Sequence, residues 1–183
     1  MSDIGKLGMK LLAIAAFAGL ALGATNAVTK GPIAEQAARD AAAARQTVLP
    51  MAADFALVAE EDGEILEIYQ GLDAAGSAAG YTAKTAVQGF GGPIEVTVGI
   101  GQDGIVTGVN VGGSDFSETA GLGAKTKEPA FYGQYAGKTG PFELSKNGGE
   151  IDAVTSATIS STAVNKGVNA VHTYLQNLIK EGN

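Results

Sequence analysis

Ile94-Glu-Val-Thr-Val-Gly-Ile100, the turn pair Asp103-Gly104 and Ile105-Val-Thr-Gly-Val-Asn-Val111 decide the fold. The first segment alternates β-branched residues with polar or small ones, the period of a strand that buries one face. Asp-Gly marks a hairpin, because glycine accepts the positive φ that a tight turn needs. The second segment is β-rich again, so the two predict an antiparallel pair. Upstream, Gly80-Tyr-Thr-Ala-Lys-Thr-Ala-Val-Gln-Gly89 predicts a strand, broken by Phe90-Gly-Gly-Pro93. These three segments form an antiparallel meander. Phe55 to Gly71 predicts a further hairpin, with Asp62-Gly63 at its turn.

Downstream, Ser114 to Gly140 is glycine-rich and reads as loop, with one short helix near Glu128 to Tyr132. Phe142-Glu-Leu-Ser145 predicts a short edge strand. Between Ser160 and Lys180, Val164, Val168, Val171, Leu175, Leu178 and Ile179 share one face, which predicts an amphipathic helix. The expected class is therefore α+β, a twisted antiparallel sheet closed by a C-terminal helix. His172 is expected at the surface or in packing, and Tyr81, Tyr132, Tyr135 and Tyr174 in the core or at its rim.

The N-terminal region is different. Leu11 to Val28 is an uncharged run. At ~1.5 Å per residue it spans roughly 27 Å, close to the hydrocarbon core of a bilayer. Lys6 and Lys10 precede it, and the small residues Ala21, Gly23 and Ala27 lie toward its end. A retained anchor and a cleaved signal peptide both fit that layout. The expectation is a single transmembrane anchor over residues 1–29 with its N-terminus inside the cell. Lys30, Arg39 and Arg45 follow the span, so the charge bias is shallow. Ile33 to Gln46 is Ala-rich and predicts a helical stalk over residues 30–50, stopped before Pro50. An extracytoplasmic domain then occupies residues 51–183.

The 183 residues carry a formal net charge of −7, which argues against nucleic acid as a partner, since phosphate binding needs surplus Lys and Arg. The chain has no Cys and one His. Thiolate metal sites, iron–sulfur clusters and multi-histidine metal sites within the chain are therefore excluded. Redox chemistry would need a cofactor of another class, of which a flavin is the obvious one.

Asp152-Ala-Val-Thr155-Ser156-Ala157-Thr158-Ile-Ser160-Ser161-Thr162 is rich in hydroxyls and leads into the amphipathic helix. A helix N-terminus presents unpaired N–H groups and the positive end of the dipole, which suits a phosphate. The same residues also suit a hydroxyl-rich cap with nothing bound. A second stretch, Ser117-Glu118-Thr119-Ala120-Gly121-Leu122-Gly123-Ala-Lys125, is by itself an ordinary glycine-rich loop.

Together these stretches resemble a known family. The first resembles the flavinylation signature Asp-Gly-x-Ser/Thr-Gly-Ala-Thr of the FMN-binding domain. That domain is found in the G subunit of the Rnf complex and in the C subunit of the sodium-pumping NADH:quinone reductase. The resemblance implies a phosphodiester between Thr158 and FMN, installed by a flavin transferase that uses FAD. Thr155, Ser156 and Ala157 are then its cofactor-binding neighbours. Ala153 and Ser156 stand where the family more often has Gly. The second stretch resembles the family's Glu-Thr-Pro-Gly-Leu-Gly loop, with Ala120 in place of Pro. It implies cofactor contacts from Glu118, Thr119, Gly121, Leu122, Gly123 and Lys125: Glu118 bonding the ring or ordering the loop, Leu122 packing on the ring, Lys125 offsetting phosphate charge.

The resemblance runs roughly from Gly80 to Leu178. It implies an electron-transfer subunit with no catalytic activity of its own, in the inner membrane, with its domain on the periplasmic side. The complex would be of Rnf type, moving electrons between ferredoxin and NAD and coupling this to Na+ or H+ transport. Expected partners are its other membrane and peripheral subunits, including a second flavinylated one, and the transferase during maturation. The short chain favours the Rnf G subunit over its quinone-reductase counterpart. Two other readings stay open: the same domain in another extracytoplasmic electron chain, such as the quinone reductase, and a membrane-tethered scaffold with Thr158 unmodified.

Overall fold

The computed structural model describes residues 3–181. In chain order its main elements are α1 (Asp3–Val48), β1 (Asp54–Asp62), β2 (Ile65–Leu72), β3 (Ala78–Gln88), β4 (Pro93–Gly101), β5 (Val106–Gly112), α2 (Pro129–Tyr132) and α3 (Thr158–Glu181). The chain divides into two compact units, one ending at Asp40 and the other beginning at Ala41.

The anchor and stalk are one continuous helix, with Pro32 inside it. Proline removes one backbone donor there, and the helix continues past it. In the first unit Leu7, Leu11, Ile14, Phe17, Leu20 and Val28 are all exposed. This helix is long and apolar enough to cross a membrane, and its apolar window is nowhere buried by protein. Apolar surface of that extent without protein packed on it calls for lipid.

In the second unit the five strands form one antiparallel sheet in the order β1-β2-β3-β4-β5. The meander therefore takes in the upstream hairpin as well. Across β3, β4 and β5 the register pairs Thr85 with Val96 and Val96 with Val111, Ala83 with Val98 and Val98 with Val109. Partners in a register share a face, so these residues build one apolar surface. A register shift between Ile65 and Glu67 in β2 lets both Ile65 and Ile68 join it. α3 covers this face with Val164, Val168, Val171 and Leu175, all fully buried. Burying side chains of this kind contributes about 1.5–3 kcal/mol each. Gly167 brings the helix close: a side chain there would meet Val96 at 3.1 Å and Val87 at 3.3 Å.

The opposite face of the sheet carries glycines at positions 71, 80, 99 and 108, paired as Gly71 with Gly80 and Gly99 with Gly108. Val48 and Leu49, both fully buried, lie directly on this strip. The Thr107 hydroxyl donates to the Val48 carbonyl. Arg45 lies 4.0 Å from the Tyr69 ring centroid and 3.5 Å from Glu67. Glu67 in turn pairs with Lys84 at 2.8 Å, and Lys84 with Glu95 at 3.4 Å. Burial alone would push the Lys84 pKa down, but its two carboxylates outweigh that and leave it raised.

One predicted element is absent. Residues 142–145 are not an edge strand; the segment makes a single parallel bridge, Leu144 to Ile151. The reason is local. The Phe142 N–H donates to Asn169 Oδ1 at 2.8 Å, and the Phe142 carbonyl accepts from Asn165 and Asn169 at 2.9 and 2.8 Å. With its backbone groups taken by α3 side chains, Phe142 has none to offer the sheet. α3 also starts two residues earlier than the periodicity implies, at Thr158.

His172 is buried, its ring edge-on to Phe142 at 5.4 Å and its Nε2 3.3 Å from the Gly104 carbonyl. Burial lowers its pKa below 6.5, against a smaller opposing pull from that carbonyl. The folded state therefore resists protonation, and the unfolded state binds the proton first as pH falls. Stability should be constant above about pH 6.5 on this account and decline below it. Thermal melts from pH 8 to pH 5 should show a shallower acid-side decline for His172→Gln than for the wild type. Equal slopes would remove His172 from the account.

Candidate functional site

The segment before α3 is held by its backbone, which leaves its polar side chains outward. The Asp152 N–H donates to Gln134 Oε1 at 2.7 Å, and Gln134 Nε2 donates to the Asp152 carbonyl at 3.1 Å. The Val154 N–H donates to the Ser161 hydroxyl at 3.0 Å, which itself donates to the Ala157 carbonyl at 3.0 Å. Ser156 has φ of 62°. That left-handed conformation is easiest for glycine, which explains why Gly is the commoner residue there in the signature. Asp152, Thr155, Ser156 and Thr158 are exposed, while Ala157 is buried as the hinge of the turn.

Thr158 is the first residue of α3, a helix of 24 residues. The first hydrogen bond into the helix comes from Ser161 to Ala157. The N–H groups of Thr158, Ile159 and Ser160 thus lack intrahelical acceptors, beside the positive end of a long dipole. No hydrogen bond among the described residues engages the Thr158 hydroxyl. An exposed hydroxyl with donors around it can carry an anionic group without displacing any partner.

Thr158, Ser156, Ala157, Glu118, Thr119, Leu122 and Gly123 line one cleft, of about 360 Å³. Its volume lies in the range of small-molecule sites. Among the residues predicted from sequence, Thr155, Gly121 and Lys125 stand outside the lining. Lys125 is exposed in the short 3-10 turn Gly123–Lys127. Three further residues complete the cleft: Phe90, Ile159 and Ser160. Phe90 sits in the Gly89-Phe-Gly-Gly-Pro breaker, where an aromatic among glycines is the available signal. None of the tyrosines is in the lining; Tyr135, for one, is buried and donates to Asn165 Oδ1 at 3.1 Å. Burial pushes its phenol pKa well up.

Glu118 ties the cleft together. Its Oε1 accepts from the N–H groups of Phe90 and Gly91 at 2.7 and 3.2 Å. Its Oε2 accepts from the Ser160 hydroxyl at 2.8 Å. Gly89 and Gly123 make room for this carboxylate, since a side chain at either would run into it. Gly123 also has Ser160 Oγ within 2.6 Å of where its Cβ would be. The cleft thus has an apolar body, from Phe90, Leu122 and Ile159, and a donor-rich end at Thr158. Those are the complements of a flat apolar ring system joined to a phosphate, so the residues present fit FMN.

Comparison with known proteins agrees with this geometry. The FMN-binding domain model matches residues 89–173. The chain is 40% identical to the G subunit of the Na(+)-translocating ferredoxin:NAD(+) oxidoreductase complex of Acetobacterium woodii, covering 96% of this chain and 93% of that one. It is 35% identical to the G subunit of the ion-translocating oxidoreductase complex of Methanosarcina acetivorans, covering 93% and 92%. Among solved structures it is similar to the C subunit of Na(+)-translocating NADH-quinone reductase from Parabacteroides distasonis. There the TM-score is 0.52 at 20% identity, over 62% of each chain. A crystal structure of NqrC from Shewanella oneidensis gives a TM-score of 0.51 at 20% identity, over 63% of this chain and 61% of that one.

Proposed function

The chain belongs to the G-subunit family of ion-translocating oxidoreductase complexes and carries an FMN-binding domain, and from that premise we propose that it is a membrane-anchored flavoprotein subunit with FMN linked through phosphate to Thr158. The observation that carries the reading is the exposed Thr158 hydroxyl at the start of α3, inside the same cleft as the Glu118–Gly123 loop. In maturation Thr158 supplies the nucleophile. Its Oγ would take the FMN phosphate from FAD, with AMP as the leaving group and the hydroxyl proton passing to a base on the flavin transferase.

The chain's own residues then have physical tasks. The first N–H groups of α3 stabilise the phosphodiester charge. Phe90, Leu122 and Ile159 give the ring system an apolar setting. Thr155, Ser156 and Ala157 shape the turn that presents Thr158. Gly121 and Lys125 lie on the adjoining loop, where Lys125 moderates the charge. When bound, FMN supplies reversible electron transfer, and the protein sets its position and potential. No acid, base or nucleophile is required of this chain during turnover.

The anchor reading puts the N-terminal part of α1, up to residue 29, in the cytoplasmic (inner) membrane, with Lys6 and Lys10 toward the cytoplasm and the domain on the extracytoplasmic side. The electron route would be that of an Rnf-type complex between ferredoxin and NAD, with a second flavinylated subunit among the partners. Protein purified from cells containing a flavin transferase should give a fluorescent band that survives denaturing electrophoresis. Its intact mass should exceed the sequence mass by one phosphate-linked FMN. An unmodified mass from such cells would refute the reading and leave a tethered scaffold.

A further inference from the structure

We propose that Glu118 is the positioning residue of the site, and that what it positions is Phe90 as the aromatic wall shielding the flavin ring from water. The inference rests on the flavin reading above.

Phe90 is 69% exposed. It lines the same cleft as Thr158, Leu122 and Ile159, so its open face is available to a planar ring held there. The turn closes with one backbone hydrogen bond of its own, from the Gly89 N–H to the Gly92 carbonyl at 2.9 Å, which leaves the Phe90 and Gly91 N–H groups to be held from elsewhere. Gly89, Gly91 and Gly92 surround Phe90, and glycine leaves the most backbone freedom. What fixes this turn is the loop after β5. Glu118 Oε1 takes both the Phe90 and the Gly91 N–H, and the Ser117 hydroxyl donates to the Gly91 carbonyl at 2.9 Å. The glycines are the condition for this. A side chain at Gly91 would run into the Ser117 carbonyl, and one at Gly92 would meet Ser117 Oγ at 2.6 Å. Two chain segments far apart in sequence are thus packed backbone to backbone, with one carboxylate as the pin.

The other oxygen of Glu118 reaches Ser160, in the same first turn of α3 as Thr158. One side chain therefore sets the distance between the Phe90 turn and the helix end that carries the flavin tether. Both its oxygens are occupied by protein donors, so its part is to place the walls rather than to bond the ring.

The test uses the full chain in detergent, flavinylated in cells, with the denatured-gel band as the measure of attached flavin. Native samples are then titrated with iodide, and the flavin quenching constant is read per attached flavin. Phe90→Ala should raise that constant several-fold. Glu118→Ala should raise it to the same level. Glu118→Gln should stay near wild type, because its amide oxygen still accepts both N–H groups and its NH2 can face Ser160 as the hydroxyl turns. The double variant Phe90→Ala with Glu118→Ala should be no worse than either alone, since both remove one wall. Should Glu118→Ala fail to fold, Ser160→Ala breaks only the second arm and should give an intermediate rise.

An unchanged constant in Phe90→Ala would overturn the wall. A Glu118→Gln variant as leaky as Glu118→Ala would overturn positioning in favour of a charge effect. Absence of the gel band from the wild type would instead defeat the flavin reading itself.

Discussion

On the proposed attachment, Thr158→Ala should abolish the denaturation-resistant flavin fluorescence and remove the mass of the attached cofactor. The expected effect is all or none, because the proposed bond is made by the Thr158 Oγ, which alanine lacks. The hydroxyl is exposed and engages no protein partner among the described residues, so its removal should change stability by no more than about 0.5 kcal/mol. The folded domain would persist while electron transfer through the protein stops. Thr155→Ala serves as the control. It deletes a neighbouring exposed hydroxyl and should leave a fluorescent band, even where recognition by the transferase is impaired. The measurement is in-gel fluorescence with intact mass, alongside a thermal melt. A persisting band in Thr158→Ala would move the attachment to another hydroxyl of the segment.

Gly99→Ala should be among the most damaging small substitutions in the domain. A methyl group at this position runs into the carbonyl of Val48, with the Val48 carbonyl carbon at 2.7 Å and Thr107 Oγ1 at 2.9 Å. These atoms cannot yield cheaply, since they are backbone and its hydrogen-bonded hydroxyl. The end of α1 must lift off the sheet or β4 must bend, and the loss should be about 3 kcal/mol. That corresponds to a fall in Tm of roughly 6–12 °C. Gly133→Ala gives the contrast. A side chain there meets nothing within 4 Å, and its φ of −65° suits any residue. It should leave the melt near wild type. A Gly99→Ala melt within a degree or two of wild type would show that Val48 is not seated as described.

Much of the sheet is legible from residue order alone. The run from Ile94 to Val111 alternates, and period and turn chemistry suffice for a hairpin. α3 is legible because its apolar residues keep one face over several turns. Residues 142–145 mislead because four residues of strand-like composition say nothing about whether neighbouring strands can accept them. Asn165 and Asn169, twenty or more positions later, occupy the backbone of Phe142 instead. The glycine strip is illegible for a related reason. Gly71, Gly80, Gly99 and Gly108 are scattered in sequence, and only the strand register brings them together as two neighbouring pairs on one face.

The site divides along the same line. Thr158 and the Glu118–Gly123 loop stand out because each is a contiguous pattern. Phe90 and Ser160 do not, because what recruits them is a side chain 28 residues away in one case and 42 in the other. Sequence alone allows Glu118 either to bond the ring or to order a loop. In the structure its carboxylate accepts from the Phe90 turn and from Ser160, elements other than its own loop.

The glycine strip also dictates where the polypeptide can be severed. Val48 and Leu49 fill a trough that the sheet cannot fill for itself, because its own residues there have no side chains. A cut near Asp40 leaves that plug in place. A cut after Ala52 carries it away and opens bare β-backbone, with the buried Thr82 beside it, to water. The last turns of α1 are therefore as much a part of the domain's interior as any strand. A water-soluble piece of this protein would have to begin inside what looks, by composition, like its tether.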